Sequence, residues 1–138
     1  MNTEQTDTPD SLPLDDRLSL LSSQYRRYLL YGLSKYTTPV SLAVLTDTVT
    51  EIEYGTPADQ YRDERLRIYT ALYHNHVPRL VDAGVVRYDQ ADDAVDVGPN
   101  APALAPLLEL TVDYDLSANG DGLSREPVDV DALYPDRS

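Results

Sequence analysis

The tripeptide His74-Asn75-His76 holds both histidines of the chain, and two imidazoles so close in sequence could ligate a metal or activate water. Their spacing argues against it. On a helix, residues two apart point about 200° away from each other, whereas paired ligands sit at i and i+4. No carboxylate stands three or four residues from either ring. The chain has no cysteine, which removes thiolate metal sites, disulfides and one class of nucleophile. HNH nucleases take their name from residues dispersed through a strand-strand-helix metal fold, not from a consecutive tripeptide. There is no Gly-rich phosphate loop, and two histidines on a packed helix make no Ser/His/Asp arrangement. The sequence points to no enzyme, no metal and no cofactor.

The elements that carry the tripeptide decide what else it can do. Residues 15–36 place Leu18, Leu21, Tyr25, Tyr28, Leu29, Gly32 and Tyr36 near a 3.6-residue period. Arg26 and Arg27 fall outside that stripe, so one amphipathic helix is expected. Pro39 ends it and keeps Val40 extended. Ser41 is the expected N-cap of a second helix burying Leu42, Leu45, Val49 and Ile52, and a Gly/Pro turn over residues 54–60 follows. The third helix starts near Asp63, with Leu66, Tyr69, Tyr73, Val77 and Leu80 at spacings of three and four, and Gly84 closes it. Pro78 predicts a kink or restart within it.

Two alternating segments, VVRY and AVDV, flank the polar tip DQADD and read as a β-hairpin. Residues 16–98 thus form one mainly α domain with a small β-hairpin. Residues 99–114 form a possible short helix, with Leu104, Leu107, Leu108 and Val112 as a dimer-forming face that Pro106 has to open or bend. Residues 1–15 and 115–138 are acidic tails expected to be disordered.

Charge follows the same division. Eleven basic and 24 acidic residues give a net charge of −13, yet residues 17–90 alone sum to +1. Asp outnumbers Glu 18 to 6, Arg outnumbers Lys 10 to 1, and Phe and Trp are absent. This profile resembles proteins of salt-accumulating haloarchaea, where a carboxylate-rich surface maintains hydration. In molar salt the Debye length of about 3 Å screens the self-repulsion. The acidic N-terminus lacks the basic and apolar regions of a signal peptide, and no apolar run reaches membrane-spanning length. A cytoplasmic protein is expected.

The element order is helix, extended segment, helix, helix, hairpin, which is the winged helix-turn-helix order. The segment from His76 through Val77, Leu80, Ala83, Gly84, Val85 and Val86 resembles the recognition-helix and wing stretch of ArsR-type regulators. Together with SSQYRRYLLYGL, PVSLAVLTD and RIYTALYHNHVPRL, it is similar to a group of small haloarchaeal winged-helix proteins classed as a domain of unknown function. The resemblance implies a homodimeric regulator that inserts helix 63–83 into the major groove of double-stranded DNA, with half-sites about one helical turn apart. Arg62, Arg65 and Arg67 are the expected phosphate contacts, extended by Arg26 and Arg27. Thr70, Ala71, His74 and Asn75 face base edges, while His76 packs inward. One departure stands out: Asp89, Asp92 and Asp93 occupy the wing tip, where phosphates would repel them. That favours an alternative, a protein–protein adaptor working through its acidic wing and tail.

Overall fold

The helix expected over residues 15–36 is two helices in the computed structural model, which describes residues 12–55, 60–119 and 129–133. Helix α1 (Leu14–Leu21) ends at Ser22, and α2 (Gln24–Lys35) restarts after Ser23, whose hydroxyl accepts from the Arg26 amide at 3.4 Å. A helix leaves its last carbonyls unbonded, and two arginines take up those of α1. Arg26 donates to Leu20 O at 2.6 Å and to Ser19 O at 3.1 Å, and Arg27 donates to Leu21 O at 2.7 Å. The break re-phases the apolar pattern. Arg26 is buried where periodicity puts it in solvent, and Leu18 is 51% exposed where periodicity puts it in the core.

Val40–Ser41 forms β1, a third strand beside the expected hairpin of β2 (Val86–Asp89) and β3 (Ala94–Val97). The antiparallel sheet has the order β1-β3-β2, with Val95 of the central strand opposite both Val40 and Tyr88. Val86, Val95 and Val97 face the core while Arg87 and Asp89 face out, following the two-residue repeat. Ser41 caps α3 (Leu42–Tyr54) as expected, accepting from the Val44 amide at 3.0 Å. Helix α2 crosses α3 closely at Gly32, where an added Cβ would stand 3.2 Å from both Leu45 Cδ2 and Thr48 Cγ2. The buried Thr46, Thr48 and Thr50 hydroxyls donate to carbonyls four residues back, so the core-facing side of α3 buries no unpaired hydroxyl.

The third predicted helix is continuous in direction but not in winding. Helix α4 (Arg62–Ala71) passes into a π turn (Leu72–His76) and then α5 (Val77–Asp82). The Val77 amide bonds Leu72 O, five residues back. Pro78 has no amide to offer, so the wider turn accommodates it where a break is expected. The extra residue rotates everything upstream. The buried line is Ile68, Leu72, Val77 and Leu80, with a step of five across the π turn. Tyr69 and Tyr73 are half-buried, and Leu66, expected in the core, is 63% exposed. Helix α5 closes on Gly84 at φ 75°, with Gly84 N bonded to Val81 O and Val85 N to Leu80 O, both at 2.9 Å. This is a Schellman closure, with Leu80 and Val85 both buried beneath it.

Helix α6 (Ala101–Asn119) continues across the exposed Pro106 and extends beyond the expected end at residue 114. Its Leu104, Leu108 and Val112 are buried in the core of this same chain. The face assigned to dimerisation is therefore already covered. Val130–Leu133 forms a 3-10 turn, with Val130 and Leu133 buried against α2 and α6, which corrects the expectation of disorder there. Residues 14–15 and 115–119, also expected to be disordered, belong to α1 and α6. Residues 1–11, 56–59, 120–128 and 134–138 lie outside the described residues, as do the disorder expected of the tails there and most of the turn expected over 54–60. Among the described residues, no helix is long and apolar enough to cross a membrane.

Candidate nucleic-acid interface

Four exposed residues follow one another along α4 and the π turn at four-residue steps: Arg62, Leu66, Thr70 and His74. Side chains four apart on a helix are surface neighbours, so they form one row. Arg67 is exposed beside it, 4.0 Å from Glu64, and Asn75 is exposed on the π turn. Asp63 and Glu64 occupy the first turn, where the helix dipole favours carboxylates. The Thr70 hydroxyl donates back to Leu66 O at 2.9 Å, so its proton is already engaged within the helix.

The other expected contact residues are used differently. Arg65 donates to Asp47 at 2.5 Å and to Ala43 O at 3.0 Å, bracing α4 against α3. Ala71 is half-buried. Arg27, besides its bond to α1, pairs with both oxygens of Asp115 on α6, at 2.7 and 3.1 Å. The buried Tyr31 hydroxyl donates to the same carboxylate at 2.6 Å, and its own ionisation is pushed up by burial and then by that bond. Arg26 reaches His76 Nδ1 at 3.0 Å. Arg26 and Arg27 are thus withdrawn from any phosphate-binding patch, because acceptors within the fold occupy their guanidinium groups.

His76 also resolves the tripeptide. A guanidinium only donates, so His76 Nδ1 carries a lone pair and the ring is neutral with its proton on Nε2. Burial depresses its pKa, and the nearby Arg26 and Arg79 charges add to the effect. Tyr25 packs edge-on against the ring at 6.0 Å. His74 is exposed, so the two imidazoles part as the helical reading expects. Among the described residues, no group of three or more His, Asp or Glu side chains is placed to hold a metal ion.

The hairpin is fastened to the same helix. Tyr88 of β2 meets Tyr73 edge-on at 6.1 Å, and the Gln90 amide donates to the Tyr73 hydroxyl. Asp93 does not project with the rest of the tip. At φ 54° it turns inward, accepting from the Tyr88 hydroxyl at 2.7 Å while its backbone carbonyl accepts from Leu42 N at 3.0 Å. A second carboxylate oxygen lies 3.4 Å from Ala43 N, so Asp93 sits at the positive end of the α3 dipole. Asp89 and Asp92 stay exposed, with Asp89 accepting from the Ala91 and Asp92 amides of its own turn. The tip remains negative with two carboxylates rather than three.

Sequence reasoning missed Leu66, because its phase depends on the π turn, for which Pro78 is the only visible signal. It also missed Asp47, Asp93 and Asp115 as the acceptors that hold the frame. Residues 18–96 match the domain of unknown function DUF7344, and the chain belongs to that family. No curated protein and no solved structure matches the chain.

Proposed function

We propose that this domain is a winged helix-turn-helix module that binds double-stranded DNA as a transcription regulator in the cytoplasm of a salt-accumulating, haloarchaeal-type cell. Helix α4 is the reading helix, α3 its support and the β2–β3 hairpin the wing, as in ArsR-type regulators. The observation that carries this reading is the open row of Arg62, Leu66, Thr70 and His74. It lies on a helix fixed on one side by Arg65 and on the other by Tyr73 and Tyr88. Rigid presentation of polar, cationic and apolar groups on one helix suits base edges in the major groove. The tip carboxylates Asp89 and Asp92 keep the hairpin off the minor groove. At a net charge of −13, binding rests on hydrogen bonds and fit more than on counterion release.

A second copy docks on the outward side of α1 and α6, where Leu14 (59%), Leu18 (51%), Leu110 (65%) and Tyr114 (79%) stand exposed on two helices that pack together. This replaces the Leu104–Val112 face. Light scattering is expected to show a dimer for the native chain and a monomer for Leu110→Lys with Tyr114→Lys; an unchanged mass would remove this interface. DNA binding is tested by fluorescence anisotropy on duplex promoter fragments in about 2 M KCl, where long-range electrostatics is screened. Arg62→Ala with Arg67→Ala is expected to weaken binding, and unchanged specific affinity would displace the reading face from α4. The two carboxylates at the hairpin tip favour one rival, an adaptor for a basic protein partner, which predicts no anisotropy change with any duplex.

A further inference from the structure

We propose that Leu66 reads the 5-methyl group of thymine in the major groove. The inference rests on α4 being the reading helix, and it names the base feature that the helix selects. Leu66 is 63% exposed, whereas Ile68 on the same helix and Leu72 on the π turn that follows are buried. It lies one turn after Arg62 and one turn before Thr70, whose hydroxyl is already bonded to Leu66 O. Leu66 is therefore the apolar member of an otherwise polar row, with Arg62 before it and Thr70 and His74 after it.

In the major groove, thymine is the one base that presents a methyl group, flanked by acceptors and by the phosphates. An apolar spot between a guanidinium and an imidazole complements that pattern. Cytosine carries only a hydrogen at that ring position and an amino donor beside it, so Leu66 would lose its apolar contact and the discrimination is for T·A pairs. Arg62 has no ion pair among the described residues, which leaves it available to a phosphate next to the thymine.

The full-length protein is used to select bound duplexes from a randomised pool. Each thymine of the enriched sequence is then replaced singly by deoxyuridine, which removes only the methyl. One or two positions are expected to lose about three- to tenfold in affinity. The loss should vanish in Leu66→Ala, whereas Arg62→Ala should weaken thymine and deoxyuridine duplexes alike. Leu66→Ala removes an exposed side chain, so its thermal midpoint should match the native protein and isolate the binding effect. Enrichment with no deoxyuridine-sensitive position would overturn the thymine assignment and leave α4 as the reading helix. Equal deoxyuridine sensitivity in Leu66→Ala would overturn it too. Failure to enrich any sequence would overturn the DNA reading itself, and the thymine assignment with it.

Discussion

Helices α2 and α4 both begin with arginines among tyrosines, and the fold uses the two sets in opposite ways. On α2, Arg26 and Arg27 are turned back onto Ser19, Leu20 and Leu21 carbonyls, His76 and Asp115. On α4, Arg62 and Arg67 stand in solvent, and among the described residues the ion pair of Arg67 is a loose one, to Glu64 at 4.0 Å. Position relative to acceptors makes the difference. Cations in a first turn oppose the helix dipole, and α2 offsets this with the open carboxyl end of α1 two residues away and a carboxylate from α6. Helix α4 offsets it locally with Asp63 and Glu64. Across from α4, Asp47 and the Ala43 carbonyl are both taken by Arg65. An arginine next to a helix end with free carbonyls becomes framework; one without such acceptors is left for a ligand.

This contrast breaks most visibly at Asp115. Asp115→Ala takes the counter-charge from the Arg27 guanidinium, leaving it Leu21 O, and leaves the buried Tyr31 hydroxyl with Thr111 Oγ1 alone. Unfolding by denaturant is expected to show a loss of about 3 kcal/mol. Arg27→Met with Asp115→Leu should lose less than Asp115→Ala alone, because replacing both partners leaves no stranded charge. A larger loss in the double variant would mean that the pair itself, not the stranded charge, carries the stability. Arg26→Met opens Ser19 O, Leu20 O and His76 Nδ1 together and is expected to cost about 2 kcal/mol.

On α4 the expectation reverses. Arg62→Ala with Arg67→Ala should change stability by no more than about 0.5 kcal/mol. In DNA binding the same pair should lower the slope of log affinity against log salt by about 2. A stability loss near that of Arg26→Met would erase the distinction between the two helix starts.

Much of the frame is legible in the sequence because it follows from local rules. Ser41 caps α3, Gly84 closes α5, and AVDV alternates as β3; each depends on neighbours a few residues away. What was not legible depends on distant partners or on a change of winding. Arg27 and Asp115 are 88 positions apart, so composition alone makes Arg27 look like a free cation. The π turn adds one residue to the repeat, and a period counted back from Leu80 without it puts Leu66 inside and misses Ile68 and Leu72. The single error in phase misassigned the most informative residue of the candidate site.

The smallest effect concerns His76, which joins the two regions: it lies on the π turn behind α4 and accepts from Arg26 of α2. Its pKa in the fold is below the ordinary 6.5, chiefly through burial and then through Arg26 and Arg79. The unfolded chain therefore takes up a proton at a higher pH than the fold does. Between those two values the unfolded state binds more protons, so stability falls as pH drops below about 6.5 and levels off once the folded ring is also protonated. Protonation would convert Nδ1 from acceptor to donor opposite a guanidinium, with Arg26 on α2 and Arg79 on α5 as the facing charges and the Tyr25 ring packed edge-on. His76→Asn keeps an acceptor near the Nδ1 position and cannot titrate. Its denaturation midpoint should start lower at about pH 7.5 and then fall less steeply than that of the native protein as the pH is brought to about 5. Parallel curves would show that His76 is not the titrating group. A steeper fall in the variant would reverse the sign of the argument and leave Arg26 held by its two carbonyls alone.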